Sequence, residues 1–356
     1  MKLFLTCLLT TIITTGLQAQ TYSGYIDSFA KANQFNGTIL IQEKNKISYQ
    51  KSFGLADLQF KVPNSTDTRY KIASITKFFT AALIMKLNEA GKLELNKPII
   101  TYLPGYKGKN GDKITVHHLL NHTSGLGNID TITSMESALR SGLPVYQSPS
   151  TTDDLLNNYC FTITKNNPGE VFDYNNGEYI LLGKIIEKLY NKPYESVLFE
   201  EILHPLGMSN SGILHQQDII EKLAYTYFYR DDIGKLVPDL PVYPENWYAA
   251  GAMYSTTNDL IKFANAIFDK KLLKQESLDR MFVSGKGEYG YGVWVYEDYA
   301  INKKNYRIVK RPGQIMGAQS MLFHILGTGS TIIILSNVGN CSLDEMAAKI
   351  AKRIAL

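Results

Sequence analysis

Strand-like runs stand at both ends of this chain, and helical periodicity fills its middle. Gly37–Gln42 and Lys46–Phe53 are alternating or β-branched runs joined by a tight turn at Glu43–Asn45, which predicts a β-hairpin. From about Ser74 to Met281 the pattern is mainly helical. Ile75–Glu89 is apolar nearly all round and stops at Gly91, so it should be a buried helix closed by a glycine. Within Gly177–Tyr190 the apolar residues fall at helical spacing, with Asn191 or Pro193 as the stop. Strand patterns return at Tyr291–Tyr296, Asn305–Lys310, Ala318–Ile325 and Ser330–Asn337, and a last helix runs from Leu343 to about Ile354. Strands from the two ends are best used in one antiparallel sheet, with the helical section packed beside it. That is an α+β fold: one domain over 20–356, with a sheet region of about 20–73 and 282–356 and a helical region of about 74–281. A cleft between the two regions is the natural place for a site.

The first residues stand apart from this pattern. Residues 1–20 carry one lysine, an apolar stretch from Leu3 to Ile13, then small and polar residues. This is the layout of an export signal over 1–19, with cleavage after Ala19. The stretch is shorter than the about 20 residues of a spanning helix. The expected product is exported, periplasmic or secreted, with no stable membrane span after cleavage.

Composition excludes several classes. With 44% hydrophobic residues the chain can bury a full core, so it is not disordered. Its 37 basic and 33 acidic residues include no run of five like charges, which leaves no footprint for nucleic acid. Cys160 and Cys341 remain after cleavage, either as one bridge or as two free thiols. Neither belongs to a Cys-x-x-Cys pair, which excludes a zinc ribbon and a thioredoxin-type site.

The chemistry narrows by elimination. There is no Gly-x-Ser-x-Gly and no His-Glu-x-x-His. His118 and His122 stand four apart, with His117 beside them, but no carboxylate lies among them; they read as structural histidines. Gly285-Lys-Gly287-Glu-Tyr-Gly290 resembles a dinucleotide fingerprint only as text, since it precedes a strand. Ser-x-x-Lys occurs three times, at Ser28/Lys31, Ser48/Lys51 and Ser74/Lys77. The first falls in a polar helix and the second in a strand, where the pair faces opposite sides. Ser74/Lys77 alone opens a buried helix, with the serine at its positive end and the lysine on the same face. A buried lysine of depressed pKa can accept a serine proton without histidine. Tyr174-Asn-Asn176 precedes the helix that ends at Tyr190. A tyrosine beside an ammonium can relay a proton, and Asn176 can serve an amide substrate, cap the helix, or both.

These residues resemble the serine β-lactamase and penicillin-binding-protein superfamily, of the class C β-lactamase type. The resemblance rests on Ile72-Ala-Ser74-Ile-Thr-Lys77 and Tyr174-x-Asn176. It extends through Val116–Gly127, Pro168–Glu187, Glu201–Met208, Ala250–Asp259 and Tyr289–Val293, in family order, over roughly residues 22–350. It implies that Ser74 is the acylated nucleophile, Lys77 its proton acceptor and Tyr174 the general base and acid. Asn176 would hold the substrate's amide side chain. The backbone N–H of Ser74 and one from an edge strand would form the oxyanion hole. No metal or organic cofactor is implied.

The third family motif, Lys-Thr-Gly or His-x-Gly, is altered. Arg140-Ser141-Gly142 comes too early in the chain, which leaves Arg311-Pro312-Gly313-Gln314. There Arg311 is expected to face the site and bind a carboxylate, Gly313 to leave room for a ligand, and Gln314 to supply the oxyanion N–H. The resemblance thus implies an exported serine hydrolase acting on a peptide, amide or ester bond. A peptidase for D-amino-acid-containing peptides, such as cell-wall fragments, comes first. A β-lactamase-related activity, a carboxylesterase and a catalytically dead penicillin- or peptide-binding protein are the alternatives.

Overall fold

The computed structural model describes residues 22–130, 132, 134–161 and 163–355. The expected export signal and its cleavage point after Ala19 lie outside the described residues. A helix over 22–32 (α1) leads into β1 (Gly37–Glu43) and β2 (Lys46–Phe53), the expected hairpin. The middle of the chain contributes α2 (Thr76–Glu89), α3 (Asn176–Tyr190) and α4 (Thr257–Phe268) as its longest helices. The C-terminal part supplies β3 (Trp294–Ile301), β4 (Lys304–Ile315), β5 (Ala318–Ile325), β6 (Ser330–Ser336) and the helix α5 (Leu343–Ile354).

The six strands form one antiparallel sheet in the order β3-β4-β5-β6-β1-β2. The two chain ends meet at β1 and β6, where Ile39 pairs with Ile334 and Ile41 with Ile332. Alternation divides the apolar residues between two cores. Ile39, Ile41, Ile332 and Ile334 pack under α1 and α5, against Tyr22, Met346 and Ile350. Leu40, Ile333 and Leu335 point the other way, into the larger core shared with α2, α3 and α4. This is the α+β arrangement expected of the sequence. Among the described residues no helix is long and apolar enough to cross a membrane.

Two details differ from the sequence reading. The strand expected at Tyr291 begins only at Trp294. Gly292 lies at φ +77°, and a Cβ there would approach Lys77 O to 2.8 Å, so residues 290–293 turn tightly against α2 instead of extending. The helical middle also contains short strands. Met253–Ser255 pairs with Tyr70–Lys71 and with Gly212–Ile213, and Tyr227–Arg230 pairs with Lys235–Pro238. The first of these ladders anchors the segment that enters α2. Cys160 and Cys341 are both free thiols.

Candidate active site

Ser74 sits where the short strand Tyr70–Lys71 turns into α2. A single 3-10 turn, Ala73–Ile75, precedes the α-helix, and Ala73 is held at φ +47°. A left-handed non-glycine residue is costly and persists only where its surroundings fix it. Here Ile72 N–H donates to Met253 O at 3.0 Å and Ser320 Oγ to Ile72 O at 2.8 Å. Thr76 Oγ1 adds a bond to Ala73 O at 2.7 Å. The outcome is a partly exposed serine on a helix whose next residues are buried.

Lys77 is fully buried. Its Nζ donates to Ser74 Oγ at 3.2 Å, to Ala250 O at 2.9 Å and to Asn176 Oδ1. It also lies 4.7 Å from the centre of the Tyr174 ring. Burial pushes the ammonium down to about 8; Tyr174 opposes that shift and the Arg311 charge adds to it. Tyr174 Oη donates to Ser74 Oγ at 2.9 Å. Burial alone would raise this phenol, but the charges of Arg311 and Lys77 outweigh it and bring Tyr174 down to about 8. Ser74 Oγ thus touches two groups that can each lose a proton near neutrality. The trio can take a proton from the serine hydroxyl and deliver it to a leaving group without histidine.

Asn176 joins this cluster, although not as the helix cap. The cap is Asn175, whose side chain accepts the Gly177 N–H at 2.9 Å. Asn176 is the first helical residue, and its amide bridges Lys77 to Asp130, with Nδ2 donating to Asp130 Oδ2 at 2.7 Å. Both ends of that amide are thus bonded to protein groups.

The altered third motif departs furthest from its expected role. Arg311, expected to bind a substrate carboxylate, is 0% exposed and spends its hydrogen bonds on protein groups. It shares with Gly313 the face of β4 that lies against the turn at Ser74. There Nε donates to Ser74 O at 2.6 Å, Nη1 to Tyr289 Oη at 3.2 Å and Nη2 to Tyr174 Oη at 2.6 Å. The Trp294 ring covers the guanidinium at 5.1 Å. Gly313 likewise makes no room for a ligand. A Cβ on it would fall 2.5 Å from Ile72 O, 2.5 Å from Ser320 Oγ and 2.9 Å from Ser74 N, so the missing side chain lets β4 close onto the serine turn. Gln314 is exposed and borders the cleft. β3 pairs with β4 only as far as Trp294 opposite Lys310, which leaves one edge of Arg311–Ile315 without a strand partner. That edge and Ser74 N–H flank one cleft of about 390 Å³, lined among others by Ser74, Tyr174, Trp294, Pro312, Gly313 and Gln314. A backbone N–H at Ser74 beside an unpaired strand edge is a setting that suits a developing oxyanion.

The histidines lie behind the cluster. Burial keeps His122 well below and Glu178 well above their usual pKa values. Both directions favour a neutral pair, in which the protonated carboxyl bonds His122 Nδ1. His117 Nδ1 bonds Tyr291 Oη at 2.6 Å, and His118 Nδ1 accepts the Thr115 N–H at 3.2 Å. No group of three or more His, Cys, Asp or Glu among the described residues could hold a metal ion. Asp130, Tyr146 and Tyr289 escaped the sequence reading as site residues. Tyr289 opens a segment that resembles the family, but Asp130 and Tyr146 carry no motif.

With this geometry in view, residues 24–354 match the family model described as Beta-lactamase. The chain belongs to the beta-lactamase family. It is 30% identical to the putative penicillin-binding protein PbpX of Bacillus subtilis (strain 168) over 331 residues, 91% of this chain and 76% of that one. It is 26% identical to a teichoic acid D-alanine hydrolase of Staphylococcus aureus (strain NCTC 8325 / PS 47), covering 79% of this chain and 67% of that one. The crystal structure of D-amino acid amidase from Ochrobactrum anthropi SV3, complexed with L-phenylalanine amide, superposes with a TM-score of 0.77 at 25% identity, covering 96% and 99% of the two chains. This family member is a serine hydrolase.

Proposed function

We propose that the enzyme hydrolyses an amide or ester bond of a D-configured aminoacyl group, through a covalent acyl-enzyme at Ser74. The observation that carries this reading is the double contact at Ser74 Oγ, 3.2 Å from Lys77 Nζ and 2.9 Å from Tyr174 Oη. Once the Lys77–Tyr174 pair has lost a proton, it takes the hydroxyl proton as Oγ attacks the carbonyl carbon. The carbonyl oxygen becomes an oxyanion between Ser74 N–H and the β4 edge. As the scissile bond breaks, Tyr174 returns the proton to the departing nitrogen or oxygen. Water then attacks the acyl-enzyme by the same route in reverse, releasing the acid and restoring Ser74. Support for the D-aminoacyl group comes from the similarity to a D-amino acid amidase and a D-alanine hydrolase. The layout of residues 1–19 supports an exported enzyme that meets cell-wall-derived substrates.

Intact-mass analysis after incubation with a fluorophosphonate, with Ser74→Ala as control, tests the covalent step. An adduct that vanishes in the variant is expected. Parallel assays with D- and L-alanine p-nitroanilide and with D-alanyl esters test the substrate class. No adduct would turn the reading to a penicillin- or peptide-binding protein. Faster turnover of the L series would remove the D-aminoacyl assignment. Detection of mature protein beginning at Gln20 in the culture medium or periplasm would establish export.

A further inference from the structure

Asn176 can be oriented in only one way. Its Oδ1 accepts from the Lys77 ammonium, and its Nδ2 donates to Asp130 Oδ2 at 2.7 Å. An ammonium only donates and a carboxylate only accepts, so the amide cannot flip without breaking both bonds. Asp130 is itself held. Its other oxygen accepts from Tyr146 Oη at 2.5 Å, and its N–H donates to Asn128 Oδ1 at 3.0 Å. Asn128 Nδ2 in turn reaches Tyr174 O at 2.9 Å. The Tyr146 ring stacks on Trp247 at 3.7 Å with the planes 4° apart, and its carbonyl accepts the Tyr243 N–H at 2.7 Å. A continuous hydrogen-bonded row therefore runs from Tyr146 through Asp130, Asn176 and Lys77 to Ser74 Oγ.

We propose that Asp130 is a positioning residue for acylation, which through Asn176 holds the Lys77 amine on Ser74 Oγ and keeps Asn176 out of substrate recognition in the resting enzyme. The inference rests on the reading of Lys77 as the group that receives the serine proton. Asp130 makes no hydrogen bond to Ser74, so any effect on chemistry passes through Asn176 or through its charge. The other groups facing Lys77 are the Tyr174 and Tyr179 rings, the Arg311 guanidinium, and the neutral His122–Glu178 pair. Burial raises the Asp130 carboxyl while Tyr146, Lys77 and Asn176 hold it toward the anion, and as an anion it favours the Lys77 ammonium. Removing its charge lets Lys77 lose a proton more readily. The same change lets Asn176 turn and release the amine.

The test compares wild type with Asp130→Asn, measuring fluorophosphonate labelling of Ser74 and p-nitrophenyl acetate hydrolysis across pH. The variant should show a maximal kcat lowered by about tenfold or more, an acid limb moved to lower pH, and an unchanged KM. Asp130→Glu, which keeps the carboxylate, should return the limb toward its wild-type position. If Asp130→Asn does not fold, Asp130→Ser takes its place with the same readouts. A limb that stays in place with a lowered maximum would reduce Asp130 to a loop anchor and overturn the inference. So would a raised KM with unchanged kcat, which would make Asp130 a substrate contact. A wild-type enzyme that is never labelled at Ser74 would instead sink the proposed function, whereas a labelled wild type with an indifferent Asp130→Asn sinks only this inference.

Discussion

Arg311 Nη2 donates to Tyr174 Oη at 2.6 Å, and among the described residues the hydrogen bonds of this fully buried guanidinium include none to a carboxylate. A buried cation without a paired acid is costly unless nearby groups take up its charge. Here a phenol, a serine carbonyl and aromatic faces do so, and the phenol acquires the means to ionise. The residue standing in the third-motif position therefore bonds the Tyr174 phenol and the Ser74 carbonyl from beneath the cleft.

Arg311→Met should lift Tyr174 back toward the ordinary phenol range, since the guanidinium is the leading charge that lowers it. The acid limb of kcat/KM should move to higher pH, and activity near neutrality should fall by roughly a hundredfold. Losses should be equal for neutral esters and for peptides bearing a carboxylate. A loss confined to the carboxylated substrates would restore Arg311 as a substrate anchor.

With Lys77 and Tyr174 both brought to about 8, the pair sheds one proton near that pH. The reactive form is the deprotonated one, so kcat/KM in the wild type should climb as pH rises through about 8. A profile flat from pH 6 to about pH 9 would show that neither group gates the reaction.

Lys77→Met should abolish labelling of Ser74 while the fold persists. Methionine fits a fully buried position, but Ala250 O and Asn176 Oδ1 lose their donor, at a cost of about 1–3 kcal/mol. Thermal unfolding and mass analysis on one sample separate the two effects. Labelling at the wild-type rate would remove lysine from the mechanism.

Gly313→Ala places a methyl 2.5 Å from Ile72 O and 2.9 Å from Ser74 N. β4 must then retreat from the nucleophile turn, with destabilisation of about 1–3 kcal/mol. Activity should fall much further than this loss of stability explains, because the two edges of the oxyanion site move apart. Unfolding curves beside kcat values check it; a stability loss with unchanged kcat would count against the close approach.

Glu178→Gln tests the neutral pair. Burial raises the Glu178 carboxyl, so the native protein holds a proton that the unfolded chain releases above its ordinary pKa, and stability declines as pH rises through that window. Glutamine carries no such proton and can still donate to His122 and accept from Ser124 N–H. The variant should melt higher than wild type at pH 8 and match it near pH 4. A lower melting temperature at pH 8 would mean that the carboxylate is charged in place.

Much of the outline was readable before any coordinates. The β1–β2 hairpin, Ala318–Ile325 and the closing helix lie where alternation and helical spacing put them. Ser74/Lys77 stood out from two textual equivalents because only it opens a buried apolar helix. Ser28 and Ser48 do lie in a helix over 22–32 and in β2. Tyr174 was singled out through Tyr174-x-Asn176 before the helix that ends at Tyr190. The resemblance gave Asn176 and Arg311 roles from their motif positions, but a motif position does not say which protein groups a side chain bonds, here Asp130 and Lys77 for the one and Tyr174 and Ser74 O for the other.

Local sequence set the β1–β2 hairpin, the long helices and the placing of Ser74 and Lys77 on one helix face, because periodicity and i, i+3 spacing act within a few residues. Tertiary structure decided what those residues touch. Asp130 and Asn176 are joined only when a loop folds over the start of α3, and Arg311 reaches Tyr174 only when β4 closes on the turn at Ser74. The pKa values of Lys77 and Tyr174 depend on that assembly, since burial and the approach of Arg311 arise from segments far apart in the chain.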